Sequence, residues 1–141
     1  AYELKLKQLN PDVELKSLAT PLLVPMIEEG FFENRISHDI IEAYLHHDEL
    51  KHIEALILGC THYPLIKNEI DKFYNGGVDI LDSASIVAKR LEYFLKENAL
   101  LSTKKDRKDR FLVSDITASF EASAKIFFHD EVHLEKYPIW D

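Results

Sequence analysis

The feature that most constrains the fold is the run Ala55-Leu56-Ile57-Leu58, four apolar residues in succession followed by Gly59. A strand with one solvated face alternates apolar and polar residues. An uninterrupted apolar string of this length suits a strand covered on both faces, as in parallel sheets. Parallel strands cannot be joined by a tight hairpin, so the chain must cross over before it pairs again. The sequence supplies that crossover. Thr61-His62-Tyr63-Pro64 turns the chain, Leu65 to Phe73 reads as a helix, Asn75-Gly76-Gly77 stops it, and Val78 to Leu81 reads as a second buried strand.

The alternation continues on either side. Tyr2 to Gln8 is helix-like, Asn10-Pro11-Asp12 is a turn signal, and the apolar–polar alternation from Val13 to Leu18 predicts a short strand. Pro21 opens and Gly30 closes a helical stretch over Leu22 to Ile27. An amphipathic helix is predicted from Ser37, its expected cap, to about Asp48, with Ile40, Ile41, Tyr44 and Leu45 on one face. Asp82-Ser83 leads into a long helix to about Asn98, followed by a charged loop, Ser102 to Asp109. A strand from Arg110 to Val113, a turn at Ser114-Asp115, a helix from about Ala118 to Phe127 and a last strand at Val132 to Leu134 complete the chain. Strands alternating with helices predict an α/β fold of three layers with a mostly parallel sheet. A boundary is expected near Asp82 to Ala84. Ala1 opens the chain without methionine and inside a helical pattern, as if the chain were entered midway.

Composition narrows the function classes. A chain of 141 residues can bury a real core. Its net charge of −8, with lysines scattered among acids, leaves no basic face to replace phosphate counterions, which argues against nucleic-acid binding. No apolar run approaches the ~20 residues that cross a bilayer, and no basic-then-apolar leader is present, so a cytoplasmic protein without membrane partners is expected. The single cysteine, Cys60, allows no intrachain disulfide.

Cys60 sits where the first buried strand ends. In open α/β sheets ligands bind at the carboxyl ends of strands, where loops and helix N-termini converge. With a helix predicted to start close by, the N–H groups of Thr61 to Leu65 would face any anion held there and favour a thiolate. Thr61 adds a hydroxyl, and His62 adds an imidazole able to carry protons to or from the thiol. Taken by residue type alone, a lone cysteine is more often a packed core thiol.

The longer string Leu56-Ile57-Leu58-Gly59-Cys60-Thr61-His62-Tyr63-Pro64-Leu65-Ile66 resembles the second signature of the aspartate/glutamate racemase family, and most closely the glutamate racemases. Ala19-Thr20-Pro21-Leu22-Leu23-Val24-Pro25-Met26-Ile27-Glu28-Glu29-Gly30 resembles the segment that supplies that family's helper glutamate. Val78 to Ala84 resembles the stretch returning to the first domain, and Phe111-Leu112-Val113-Ser114-Asp115 the C-terminal strand and turn. The resemblance implies part of a two-domain, pseudo-symmetric fold. Residues 1–83 would be a second α/β domain carrying Cys60, and 84–141 a return segment belonging to the first domain. It implies glutamate as substrate, interconverted between L and D forms without pyridoxal phosphate or any metal, with the D form feeding peptidoglycan.

The resemblance also implies residue roles. Two cysteines flank the α-carbon, one a thiolate base and the other a protonated acid. Cys60 would serve one face, assisted by His62, with Thr61 binding the substrate and Glu28, ahead of Glu29, as helper carboxylate. The second thiol, with its Asn-Thr neighbours, would lie in the family's N-terminal half, so this chain alone is expected to be inactive. Apolar surface is expected where that half would pack, which leaves a homodimer open. Two other readings are an α/β module that only binds a ligand or partner, and a cysteine hydrolase, for which His62 is awkwardly close to Cys60.

Other features have plainer readings. His46, His47 and His52, with Asp48 and Glu49, suggest a metal but read as a solvated helix end. The mixed run Lys104-Lys105-Asp106-Arg107-Lys108-Asp109-Arg110 reads as an exposed loop, and Gly76-Gly77 as a turn. Tyr2, Phe31, Phe32, Tyr44, Phe73, Tyr93, Phe94, Phe127 and Phe128 read as core or interface residues. Asp82-Ser83 and Ser114-Asp115 read as helix caps before ligand contacts.

Overall fold

The apolar run forms a strand and its crossover a helix. In the computed structural model, which describes residues 2–31, 34–102, 108–128 and 130–138, the order is α1 (Tyr2–Leu9), α2 (Leu23–Glu28), α3 (Arg35–Leu45), β1 (Ala55–Leu58), α4 (Lys67–Tyr74), β2 (Asp79–Asp82), α5 (Ser83–Glu97), β3 (Phe111–Val113), α6 (Ala118–Phe128) and β4 (Leu134–Lys136). The fold is α/β, and both strand pairings among the described residues are parallel. They form two separate two-stranded sheets, β1–β2 and β3–β4. In the first, Ala55 pairs with Asp79 and Leu58 with Asp82; in the second, Phe111 pairs with Leu134 and Val113 with Lys136.

The core sits on one face of β1–β2. Leu23, Met26 and Ile27 of α2, Ile41 and Leu45 of α3, Leu58 of β1, and Ile66 and Ile70 around the start of α4 form a single buried cluster. Leu56 and Ile80 pack against it from the sheet. Side chains alternate along a strand, so Ile57 and its partner Leu81 point to the opposite face. There the expected two-sided burial is not met, since Leu81 is 40% exposed. The apolar run therefore anticipates more cover than the described residues supply. The long helix α5 has no buried residue, and Ile86, Val87, Leu91 and Phe94 on it are all at least half exposed.

Several element ends differ from expectation for local reasons. No strand forms over Val13 to Leu18; those residues lack a ladder partner among the described residues, and alternation alone cannot satisfy backbone groups. Ser37 lies inside α3 and is not its cap. The cap is Asn34, whose Oδ1 accepts from the Ser37 N–H at 3.0 Å while Ser37 Oγ accepts from the Asn34 N–H at 3.0 Å, a reciprocal capping box. That helix ends at Leu45, and the last strand lies at Leu134–Lys136, beyond the Val132 start expected of it. Part of the charged loop, 103–107, and Phe32 lie outside the described residues. Tyr2, Phe31, Tyr93, Phe94, Phe127 and Phe128, expected in the core or an interface, stand out from this core, whereas Tyr44 and Phe73 pack against it.

Asp82 ends β2 and caps α5. Its Oδ1 accepts from the Ser85 N–H at 2.8 Å and its Oδ2 from Lys67 Nζ at 2.7 Å, which ties the start of α4 to the start of α5. Hydrogen bonding to Lys67, and then to the Ser85 N–H, lowers the Asp82 carboxyl from 3.8 to about 2. Because the unfolded chain takes up the proton more readily, this stabilisation is complete above about pH 4 and is lost as the pH falls toward 2. In Asp82→Asn the Ser85 bond survives and the charge does not. Urea midpoints measured between pH 2 and 6 are expected to rise with pH less steeply in that variant than in the unaltered chain.

Candidate functional site

The site lies where β1 runs out. Gly59 and Cys60 follow Leu58, and the chain turns through Thr61 and His62 into a short 3-10 segment, Tyr63–Ile66, before α4 begins at Lys67. The α-helix starts later than the sequence suggests. The Tyr63 N–H donates to the Cys60 carbonyl at 3.3 Å and the Leu65 N–H to the His62 carbonyl at 3.1 Å. These two donors are spent within the turn, and the α-helix itself begins seven residues beyond Cys60. Pro64 favours this tight geometry, since its fixed φ suits a first helical position.

Within the turn, Cys60 Sγ lies 3.6 Å from His62 Nδ1, and Thr61 Oγ1 approaches the same nitrogen at 3.4 Å. The other imidazole nitrogen, Nε2, meets Glu28 Oε1 at 3.2 Å. The arrangement is directional. A carboxylate can only accept, so it favours the tautomer with hydrogen on Nε2 and leaves the Nδ1 lone pair facing the thiol. Cys60 is half-buried and Thr61 exposed, so the thiol is reachable.

Glu28 arrives from α2, and the end of that helix explains how. The Gly30 N–H donates to the Ile27 carbonyl at 3.0 Å and the Phe31 N–H to the Met26 carbonyl at 2.9 Å, a Schellman termination with Gly30 at φ 74°. Leu23, Met26 and Ile27 bury the inner face, which leaves Glu28 on the rim toward His62. Of the two adjacent glutamates, Glu28 reaches the imidazole, while Glu29 caps the helix and donates its own N–H to Pro25.

Three neighbours of the site were not picked out from sequence. Tyr63 Oη and Thr20 Oγ1 are 2.5 Å apart across 43 residues, and the Phe127 ring on α6 meets the His62 ring edge-on at 5.6 Å between centroids. No local pattern signals a contact of such range; Phe127 read only as an apolar residue on a helix. The other polar candidates are engaged elsewhere. Asp82 is a cap, as expected, but Asp115 pairs with Lys136 at 2.8 Å, and the cap of α6 is Thr117, whose Oγ1 accepts from the Phe120 N–H at 3.2 Å. His46 Nδ1 bonds the Glu42 carbonyl at 2.8 Å and its ring sits edge-on to Phe73, while His47 accepts from the Glu49 N–H.

Comparison with known proteins assigns the chain to a family. No protein-family model matches the chain. A glutamate racemase of Geobacter metallireducens is 36% identical over 121 residues, 85% of this chain and 45% of that protein. One of Aquifex pyrophilus is 45% identical over 98 residues, 70% of this chain and 37% of that protein. The crystal structure of glutamate racemase from Francisella tularensis, solved in complex with D-glutamate, superposes with a TM-score of 0.83 at 41% identity, covering 97% of this chain and 52% of that one.

The chain belongs to the glutamate racemase family. It spans about half the length of the relatives it matches and corresponds to their C-terminal part. No helix among the described residues is long and apolar enough to cross a membrane.

The Gly30 termination is testable. Gly30→Ala meets only ordinary contact, with Ile126 Cδ1 at 3.9 Å, so its cost is conformational. A residue with a Cβ at positive φ is expected to lower stability by about 1–2 kcal/mol, read as a lower urea midpoint at unchanged slope.

Proposed function

We propose that this chain provides one face of a cofactor-independent glutamate racemase, with Cys60 as its acid/base thiol. The observation that carries this reading is the file Cys60–His62–Glu28, at 3.6 and 3.2 Å, set on a turn at the carboxyl end of a parallel strand. In the deprotonating direction the thiol proton passes to His62 Nδ1, Glu28 stabilises the imidazolium through Nε2, and the Cys60 thiolate takes the α-proton of glutamate. In the reverse direction the Cys60 thiol returns a proton to the carbanion. Thr61, exposed beside Cys60, donates its hydroxyl to the substrate carboxylate or amine. No metal or pyridoxal phosphate takes part; positioning and hydrogen-bond donors aimed at the developing charge lower the barrier.

Inversion needs a second proton-transfer group on the opposite face of the α-carbon, and Cys60 is the sole cysteine among the 141 residues. Following the family resemblance, we take that group to be a second thiol in an N-terminal portion outside this sequence. We assign residues 1–83 to the second α/β domain and 84–141 to a return segment of the first. Support comes from the two sheets, which share no strand, and from Phe127 and Ile126 of α6, which approach His62 and Gly30 from the return segment. The partly covered Ile57–Leu81 face and the apolar stripe of α5 are where that portion packs. The same reading places the enzyme in the cytoplasm, supplying D-glutamate for peptidoglycan.

The test joins this chain to the N-terminal portion of the Francisella tularensis relative and follows conversion of L- to D-glutamate. The chain alone is expected to give no turnover and the joined protein measurable turnover. Cys60→Ser should lower the latter by about a hundredfold or more, the usual span of one acid/base group. Unchanged rates in both directions for Cys60→Ser would refute the assignment. The bare apolar surface carries its own expectation: sedimentation of the chain alone should show reversible, concentration-dependent self-association that disappears on joining. A clean monomer at high concentration would count against the packing assigned to that surface.

A further inference from the structure

Tyr63 and His62 are consecutive residues of one turn, and their side chains land on the two ends of a single segment. His62 meets Glu28 in the last turn of α2, and Tyr63 meets Thr20, whose carbonyl accepts the Leu23 N–H at 3.1 Å as that helix begins. We infer that the Tyr63–Thr20 hydrogen bond is a positioning clamp that holds α2 in register against the Cys60 turn, so that Glu28 stays within reach of His62. The inference rests on the racemase reading for its significance but not for its geometry.

The two bonds differ in what they can hold. The Glu28 side chain is 57% exposed, and an exposed pair orders little by itself because water and salt compete with it. Tyr63 and Thr20 are both half-buried and 2.5 Å apart, so their bond faces less competition. The segment between them is short and stiff. It contains the whole of α2, buries Leu23, Met26 and Ile27, and also meets Tyr44 of α3, whose hydroxyl accepts from the Leu22 N–H at 3.2 Å. A displacement at Thr20 is thus passed to Glu28 by a helix of six residues with little slack. The Tyr63 hydroxyl bonds Thr20 and the thiol meets His62, so removing that hydroxyl leaves the Tyr63 N–H bond to Cys60 in place and acts through Glu28 and His62.

That requirement gives the experiment. The probe is the rate of Cys60 alkylation by iodoacetamide in the full chain, which needs no racemase activity. Glu28→Gln sets the size and direction of the change on losing the carboxylate. Tyr63→Phe is expected to change the rate in the same direction, by roughly two- to tenfold, the span of one neutral hydrogen bond. Thr20→Val should match Tyr63→Phe, Thr20→Ser should keep the original rate, and Glu28→Gln combined with Tyr63→Phe should be no further changed than Glu28→Gln alone. A generally loosened structure would instead make the two changes additive. Additivity, or a Tyr63→Phe rate equal to that of the unaltered chain, overturns the clamp. So does a rate insensitive to both Glu28→Gln and Tyr63→Phe. If the joined protein fails to racemise glutamate while the alkylation series follows this pattern, the clamp stands and the proposed reaction falls. In a joined protein that is active, Tyr63→Phe should lower kcat with KM nearly unchanged.

Discussion

The parallel pairing of β1 with β2 is the constraint from which the site follows. Two strands running the same way oblige the chain to leave the end of the first, travel back, and re-enter at the start of the second. Here that journey begins at Gly59 and includes the turn of Cys60 to His62, the 3-10 segment and α4. The thiol is therefore at a strand end because the crossover has to start there. Helix α2 then packs against the same cluster through Leu23, Met26 and Ile27, and Glu28 on its polar rim meets His62. Core packing and site geometry are thus two sides of the same helix.

What could be read from the sequence was what depends on neighbours in the chain. The strand at Ala55–Leu58, the stop at Asn75-Gly76, the cap at Asp82 and the proximity of Cys60 to His62 all follow from residues a few positions apart. Asn75 illustrates the point: it takes the left-handed conformation, φ 49°, that ends α4. The misreadings share the opposite property. Val13 to Leu18 alternates as a strand should, yet alternation says nothing about whether another strand lies alongside. Ser37 belongs to the expected helix but in another role, because an Asn34–Ser37 capping box carries a cap-type residue at both of its members. The α-helix after Cys60 starts later than its sequence pattern because a 3-10 turn and the first turn of an α-helix have similar residue preferences, Pro64 included.

The site was legible to the same degree. Cys60, Thr61 and His62 are a sequence neighbourhood, and the family resemblance brought in Glu28 from outside it. Which of Glu28 and Glu29 faces the imidazole depends on the phase of a helix that ends at Gly30, and only coordinates fix that phase. Thr20, Tyr63 and Phe127 were invisible as partners, since each is an ordinary residue for its element and its contact spans tens of residues. Exposure carried a lesson of its own. The apolar content of β1, β2 and α5 is that of elements with cover on more sides than the described residues provide.

Each sheet is a strand, a helix and a strand, β1–α4–β2 and β3–α6–β4, so each pairing closes a loop of only about two dozen residues. Loops of that size cost little more entropy than much shorter ones, and contacts this local are associated with fast folding. During synthesis the β1–α4–β2 unit, with Cys60 already in its turn, can assemble before residues 111–136 leave the ribosome. Local architecture of this kind makes the thiol's immediate surroundings an early product of folding, and makes the approach of α6 toward His62 a late one.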